Sequence, residues 1–309
     1  MSQELLMYVI AVISGIFFAL LTVGYEGGKA RKVPPQLIGF AVGLVGLLFF
    51  FTRWLIFRKS PDTSVPALLL VCGLFAGLIQ GAIPYLIAPG RRRGPYTPIN
   101  ASMNLSFVPT VICSVLVLHE KLTLIGGLGL ILALSSVVTG SMAATPDVSE
   151  QQPVRKVSGR MRLEYLLILI MIMLATGTTT TIMKYMESQK LQPDINYLDA
   201  FQDLFFLSFF LALFTPNTGE FVRYVKKGVN IKPFLILGTT AGLGSSTGFI
   251  LLVYAARLPA GLGFATASVT TIFAGALICT IIFKERRSPV WYISLLLAML
   301  AVLFFNLKF

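Results

Sequence analysis

Histidine occurs once in the 309 residues, as His119, and cysteine three times, as Cys72, Cys113 and Cys279. That leaves too few ligands for a zinc-type cluster at the usual spacings, and no disulfide framework. The cysteines sit inside apolar stretches and read as small apolar residues. Charge is scarce as well: 13 acidic residues, and 12% charged overall. No Gly-rich phosphate loop followed by Lys-Ser/Thr is present, and no polar stretch is long enough for a soluble nucleotide-hydrolysing domain. A membrane enzyme would need a nucleophile, base or metal site, for which these residues offer little. A channel would call for a filter-like repeat or a ring-forming acidic motif, and neither is visible.

What is abundant is apolar surface. At 56% hydrophobic residues and a mean hydropathy of +0.82, the chain holds more than a soluble domain of its size can bury. Ten stretches of roughly the 20 residues that cross a bilayer follow one another: Tyr8 to Glu26, Leu37 to Phe57, Val65 to Ile87, Pro98 to Leu118, Leu124 to Ala144, Leu163 to Tyr185, Ile195 to Thr215, Pro233 to Ala256, Gly261 to Phe283 and Val290 to Leu307. No basic region precedes the first span, so a cleaved leader is not expected. An all-α, multi-pass protein of the plasma (inner) membrane is the expectation.

The net charge of +12 does not point to nucleic acid, because the basic residues are scattered among short connections. They are unevenly divided. Odd-numbered connections carry Lys29, Arg31 and Lys32; Arg91 to Arg93; Arg155, Lys156, Arg160 and Arg162; Arg223, Lys226, Lys227 and Lys232; and Lys284, Arg286 and Arg287. These outnumber the rest, and the positive-inside bias puts the odd connections in the cytoplasm and both termini outside.

A weak echo recurs at an offset of 165 residues: Gly73-Leu74-Phe75-Ala76-Gly77-Leu78 returns as Gly238-Thr239-Thr240-Ala241-Gly242-Leu243. The same offset carries Arg92 onto Arg257, Glu120 onto Glu285, Thr123 onto Ser288 and Leu132-Ala133 onto Leu297-Ala298. A fixed period means one structural unit built twice. The one long polar interruption, Thr145 to Arg162, falls at the middle. The expected organisation is therefore a five-helix repeat over residues 1–144, a linker over 145–162 and a second repeat over 163–309. Five is odd, so the second copy crosses in the opposite sense and the repeat is inverted. Thr123 and Ser288 stand as N-caps three residues after their glutamates, with Pro289 at the favoured first helical position.

Ten spans in two halves, Pro98, Ala101, Ser102 and Pro109 in the fourth, and His119-Glu120-Lys121-Leu122-Thr123 leading into Gly126-Gly127-Leu128-Gly129 resemble the drug/metabolite transporter superfamily, in its EamA-like ten-helix form. The second junction, Phe283-Lys284-Glu285-Arg286-Arg287-Ser288, is similar. The short first hairpin and Tyr96-Thr97-Pro98-Ile99-Asn100 are somewhat like the bacterial sugar-uptake branch. The resemblance implies a basket in which the first four helices of each half line a cavity and the fifth and tenth stand outside. In many members of this superfamily the termini are cytoplasmic, the reverse of the charge distribution.

Ionisable side chains are costly in hydrocarbon and mark candidate sites. The apolar run Leu204 to Phe214 is too short to cross alone, which draws Asp199, Gln202 and Asp203 into the membrane. Their spacing puts them on one helical face, continued by Phe206 and Phe210 and expected to look inward. Lys184, at the end of the sixth span, is expected level with Asp199 or Asp203, as an ion-pair partner that leaves one acid able to titrate; the alternative is a snorkelling lysine and an interfacial cap. Glu26, flanked by Gly24, Gly27 and Gly28, marks a gating hinge or an ordinary interfacial turn. Thr176-Gly177-Thr178-Thr179-Thr180-Thr181 is rich in hydroxyls that bond their own backbone or, at Thr178 and Thr179, face a polar solute. Gln80, Asn100, Asn104 and Tyr254 either complete that site or bind helices together. Glu120 and Glu285 read as interfacial, and Arg257 as a loop charge.

These features point to a secondary transporter of a small polar organic metabolite, sugar-like or amino-acid-like, working by alternating access and driven by a gradient, protons among the candidates, or by exchange. Two readings stand beside it: an exporter of amphipathic drugs or metabolites, and a non-transporting structural or sensory membrane subunit. The expected partners are the solute, the lipid bilayer and, where a pH gradient drives transport, protons, in a monomer or homodimer; no cofactor is implied.

Overall fold

The computed structural model describes residues 3–57, 67–93, 96–142, 159–188, 195–226, 231–258, 260–283 and 289–306. Every element among them is a helix: α1 (Gln3–Ala30), α2 (Pro35–Phe57), α3 (Ala67–Arg93), α4 (Tyr96–Asn104), α5 (Phe107–Val117), α6 (Leu124–Met142), α7 (Gly159–Ser188), α8 (Ile195–Lys226), α9 (Lys232–Ala255), α10 (Ala260–Phe283) and α11 (Pro289–Asn306). Six stretches are long and apolar enough to cross a bilayer, or seven if the bent pair within α8 is one span; 124–136, 262–275 and 292–301 are shorter apolar pieces. A helix satisfies its own backbone, which is why an apolar chain takes this form in lipid. The outer faces carry leucine, isoleucine, valine and phenylalanine, with Leu116, Val71, Ile236, Ile281 and Ile131 each more than 60% exposed. Such surfaces have a lipid solvent.

The expected fourth span is broken into α4 and α5. Pro109 lacks the N–H that would bond Leu105, and Val108 N turns back to Leu105 O at 3.0 Å instead. The Ser106 carbonyl at the break accepts from side chains: Thr110 Oγ1 donates to it at 3.0 Å and Thr180 Oγ1 at 3.4 Å. Gly177 makes this approach possible, since a Cβ there would collide with the ring of Pro109.

Helix contacts fall into matched pairs. α1 packs on α9 and α10, while α7 packs on α3 and on α4 and α5; α2 packs on α9, while α8 packs on α3. The glycines of the sequence echo sit in two of these matched contacts. On α3, a Cβ at Gly77 would overlap the Phe205 carbonyl and the Ser208 hydroxyl of α8, and one at Gly73 would stand 3.0 Å from Phe201 O. On α9, a Cβ at Gly238 would overlap Ala41 of α2, and one at Gly242 would stand 2.5 Å from Val45 Cβ. Small residues let backbones touch, and dispersion then holds the helices where no hydrophobic effect can. α6 and α11 pack chiefly on each other through a reciprocal bond: Ser136 Oγ donates to Ser294 O at 2.7 Å and Ser294 Oγ to Ser136 O at 2.9 Å.

The acidic face expected of the seventh span is turned relative to that expectation. Phe206 stacks on Phe50 of α2, with ring centroids 5.0 Å apart, and Phe210 on Phe40 at 5.4 Å. Gly46 of α2 provides the space for the Phe206 ring, and Gly43 lets the backbone of Phe210 approach. The side chains that look inward are the neighbours Phe205 and Phe209.

Candidate functional site

A cavity lies among α1, α2, α3, α4, α7, α8, α9 and α10. No described residue of α6 or α11 lines it. Its polar residues are Tyr25, Gln80, Asn100, Asn104, Ser106, Thr176, Thr179, Thr180, Ser245, Ser268 and Thr271, and its rings include Phe18, Phe205, Phe209, Phe249 and Phe264.

Of the residues read from the sequence as substrate ligands, Gln80, Asn100, Asn104 and Thr179 line this cavity. Asn100 Oδ1 is already occupied, accepting from Thr22 Oγ1 at 2.8 Å and from Asn104 Nδ2 at 3.2 Å, while Asn104 Nδ2 also bonds Asn100 O at 2.8 Å. By contrast, Gln80 Oε1 and Thr179 Oγ1 are buried atoms with no hydrogen-bond partner among the described residues. The other hydroxyls of the threonine run are engaged. Thr180 Oγ1 lies 2.6 Å from Thr110 Oγ1, Thr181 bonds Thr110 at 3.3 Å, and Thr176 bonds Ile172 O.

Two expected ligands stand elsewhere. Thr178 Oγ1 bonds Leu174 O at 2.9 Å and lies outside the lining, because one residue's rotation of α7 from Thr179 turns it away. Tyr254 packs against Met7, Leu258 and Leu262 at the end of α9, with the Arg257 guanidinium 5.6 Å above its ring.

The candidate coupling residues form contacts near the two ends of the bundle. Lys184 is 5% exposed. Its Nζ pairs with Glu120 Oε1 at 3.2 Å, bonding also Leu258 O at 3.2 Å and Ala256 O at 3.3 Å. Those carbonyls close α9, where the negative end of the helix dipole favours a cation. Glu120 follows α5, and its approach to Lys184 follows a chain reversal in which His119 takes φ 56° and Glu120 N bonds Ser114 O at 3.1 Å. The contact therefore ties the ends of α5, α7 and α9 together.

Near the other end, Arg93 Nε of α3 bonds Glu164 Oε2 of α7 at 2.9 Å, Arg160 bonds the same carboxylate at 3.1 Å, and Arg91 Nη2 reaches Tyr25 O at 3.4 Å. Glu26, on the last turns of α1, is buried. Asp203 is half-buried on α8 outside the cavity lining, and its neighbour Gln202 accepts from Arg53 Nη1 of α2 at 3.3 Å. The side chains of Asp199 and Glu187, and the whole of Glu285 and Ser288, lie outside the described residues.

The sequence reading passed over Tyr25, Thr22, Ser245, Ser268, Thr271 and the phenylalanine lining. Serine and threonine gave no signal there because they recur on every helix but α3. Glu120 carried one, its recurrence as Glu285, but its partner is remote in sequence.

Residues 5–141 match the EamA-like transporter family. A solved crystal structure of a protein is similar over 98% of both chains, at a TM-score of 0.64 and 11% identity, a likeness of fold alone. A search of the curated proteins finds no match.

Proposed function

We propose that this chain, an EamA-like member of the drug/metabolite transporter superfamily by its residues 5–141 and an integral multi-pass membrane protein, is a secondary transporter of a small polar organic solute. The observation that carries the reading is the cavity into which eight helices converge and where two buried polar atoms, on Gln80 and Thr179, have no partner among the described residues. Buried polar groups are nearly always paired, and groups left open in a cavity are the usual mark of a binding site.

The two halves, 1–144 and 163–309 about the linker, act as inverted repeats, and the matched helix contacts support this. Alternating access then has a concrete form. The Lys184 cluster joins α5, α7 and α9 near one end, and the Arg93–Glu164 and Arg91–Tyr25 contacts join α1, α3 and α7 near the other. Breaking one set while keeping the other opens the cavity to one side. Asp203 and Glu26 are the acids that would couple this to protons, with Asp199 as the third candidate. The protein works in the plasma membrane as a monomer or homodimer.

Flux into proteoliposomes tests the reading. The expected result is saturable uptake of one solute class, accelerated when the same solute is preloaded inside. Absence of saturable flux for sugars, nucleosides, amino acids and amphipathic amines alike contradicts it and leaves a structural or sensory subunit.

A further inference from the structure

Two clusters stand out in the cavity lining. Gln80, Asn104 and Thr179 come from α3, α4 and α7, helices that pack on one another. Phe205, Phe209 and Phe249 come from α8 and α9 and form one ring cluster, with Phe205 and Phe249 stacked 4.5 Å apart and Phe205 and Phe209 at 6.2 Å.

Gln80 Oε1 is an acceptor only and has no donor among the described residues. Water can fill that role in the empty cavity, but a solute that displaces the water has to bring its own N–H or O–H. Every described lining residue is uncharged. Lys184, next to the lining residue Met183, is held by Glu120 and two carbonyls. A carboxylate or phosphate entering here would lose its hydration and meet only neutral hydroxyls, amides and phenyl rings among the described lining, with no cation to compensate it. An ammonium would meet no carboxylate among the described lining.

We infer that the solute is an uncharged ring-bearing molecule that donates a hydrogen bond to Gln80 and lays an apolar face on the phenylalanine cluster, with Gln80 as the specificity-determining residue. A pyranose and a nucleoside share this chemistry. The inference rests on the reading of the cavity as a substrate site, and it narrows that reading by excluding amino-acid zwitterions and organic acids.

Binding by the purified full-length protein in lipid nanodiscs tests it, with glucose against glucuronate and glucosamine, and uridine against uridine monophosphate, phenylalanine serving as the zwitterion. The expected result is saturable binding of glucose or uridine, which tells the two sources apart, with the charged counterparts at least tenfold weaker. Gln80→Leu should weaken the uncharged probe by about tenfold. Gln80→Glu should shift preference toward glucosamine, a change of charge selectivity that a merely structural role of Gln80 does not produce. Charged probes binding as tightly as uncharged ones, Gln80→Leu binding like the unmodified protein, or no binding by either uncharged probe would each overturn the inference. Saturable flux of an acid or amino acid would overturn it while leaving the transporter reading intact; absence of all flux would instead remove that reading.

Discussion

Replacing Lys184 by methionine keeps the length of the side chain and removes a group that joins α5, α7 and α9. Three acceptors lose this donor: Glu120 Oε1 and Leu258 O, each at 3.2 Å, and Ala256 O at 3.3 Å. Lys184 is 5% exposed, so these contacts are poorly screened. A hydrogen bond to a charged group contributes about 1.5–3 kcal/mol net, and breaking a fully buried ion pair costs about 3–5 kcal/mol. The Glu120 side chain is 30% exposed and rehydrates once released, which puts the loss near the lower figure, about 2–3 kcal/mol. At about 1.4 kcal/mol per factor of ten, the equilibrium between open and closed forms of this end shifts by roughly 30- to 150-fold.

The readout is the labelling rate of a cysteine at Ser268, which lines the cavity on α10, by a membrane-impermeant maleimide after Cys72, Cys113 and Cys279 are changed to alanine. Added from the side bearing Lys184, the reagent should react at least tenfold faster in Lys184→Met. Glu120→Gln should give a smaller increase, and the double variant should fall short of the sum of the two effects, because the residues act on each other. Unchanged labelling in Lys184→Met, in a protein that still purifies as a single folded species, would refute the cluster as a closure.

Gly77→Ala should lower the melting temperature and the yield sharply, because its Cβ overlaps the backbone of α8 at Phe205; Gly127→Ala on α6, with nothing within 4 Å, should be neutral or stabilising by about 0.5–1 kcal/mol. Paired Ser136→Ala and Ser294→Ala should destabilise α6 against α11 by about 1–2 kcal/mol in thermal unfolding and leave solute affinity unchanged. His119→Gly should preserve or slightly raise stability, since φ 56° suits glycine, whereas His119→Val should lower it by about 1–2 kcal/mol. If Asp203 carries protons, Asp203→Asn should abolish uptake driven by a pH gradient while exchange at equal pH survives; retained pH-driven uptake would remove it from that role.

The helices were legible because an apolar chain in lipid has few choices of structure. The glycine echo was legible too, and its physical content emerged in space: Gly73 and Gly77 against α8, Gly238 and Gly242 against α2. What did not read through was rotation. Phe205 and Phe209 face the cavity where Phe206 and Phe210 were expected, because α8 is apolar on nearly every side between Leu204 and Phe214, and lipid, unlike water, does not drive an apolar face inward. Gln80, Asn100, Asn104 and Thr179, read as solute ligands or as bonds within and between helices, line the cavity. Thr178 does not, and bonds Leu174 O of its own helix. Lys184 stood out as a buried cation, but its partner Glu120 belongs to the other half of the chain. Helix spacing gives no register between elements so far apart in sequence.

Counterflow in proteoliposomes reaches the central claim most directly, because it needs both a binding cavity and alternating exposure of it, and needs no gradient. Vesicles loaded with unlabelled glucose or uridine should accumulate the labelled solute transiently above its outside concentration, and Gln80→Leu should reduce this overshoot. Passive equilibration without an overshoot for every uncharged and charged solute tried, by a protein that is folded and correctly reconstituted, would contradict the account.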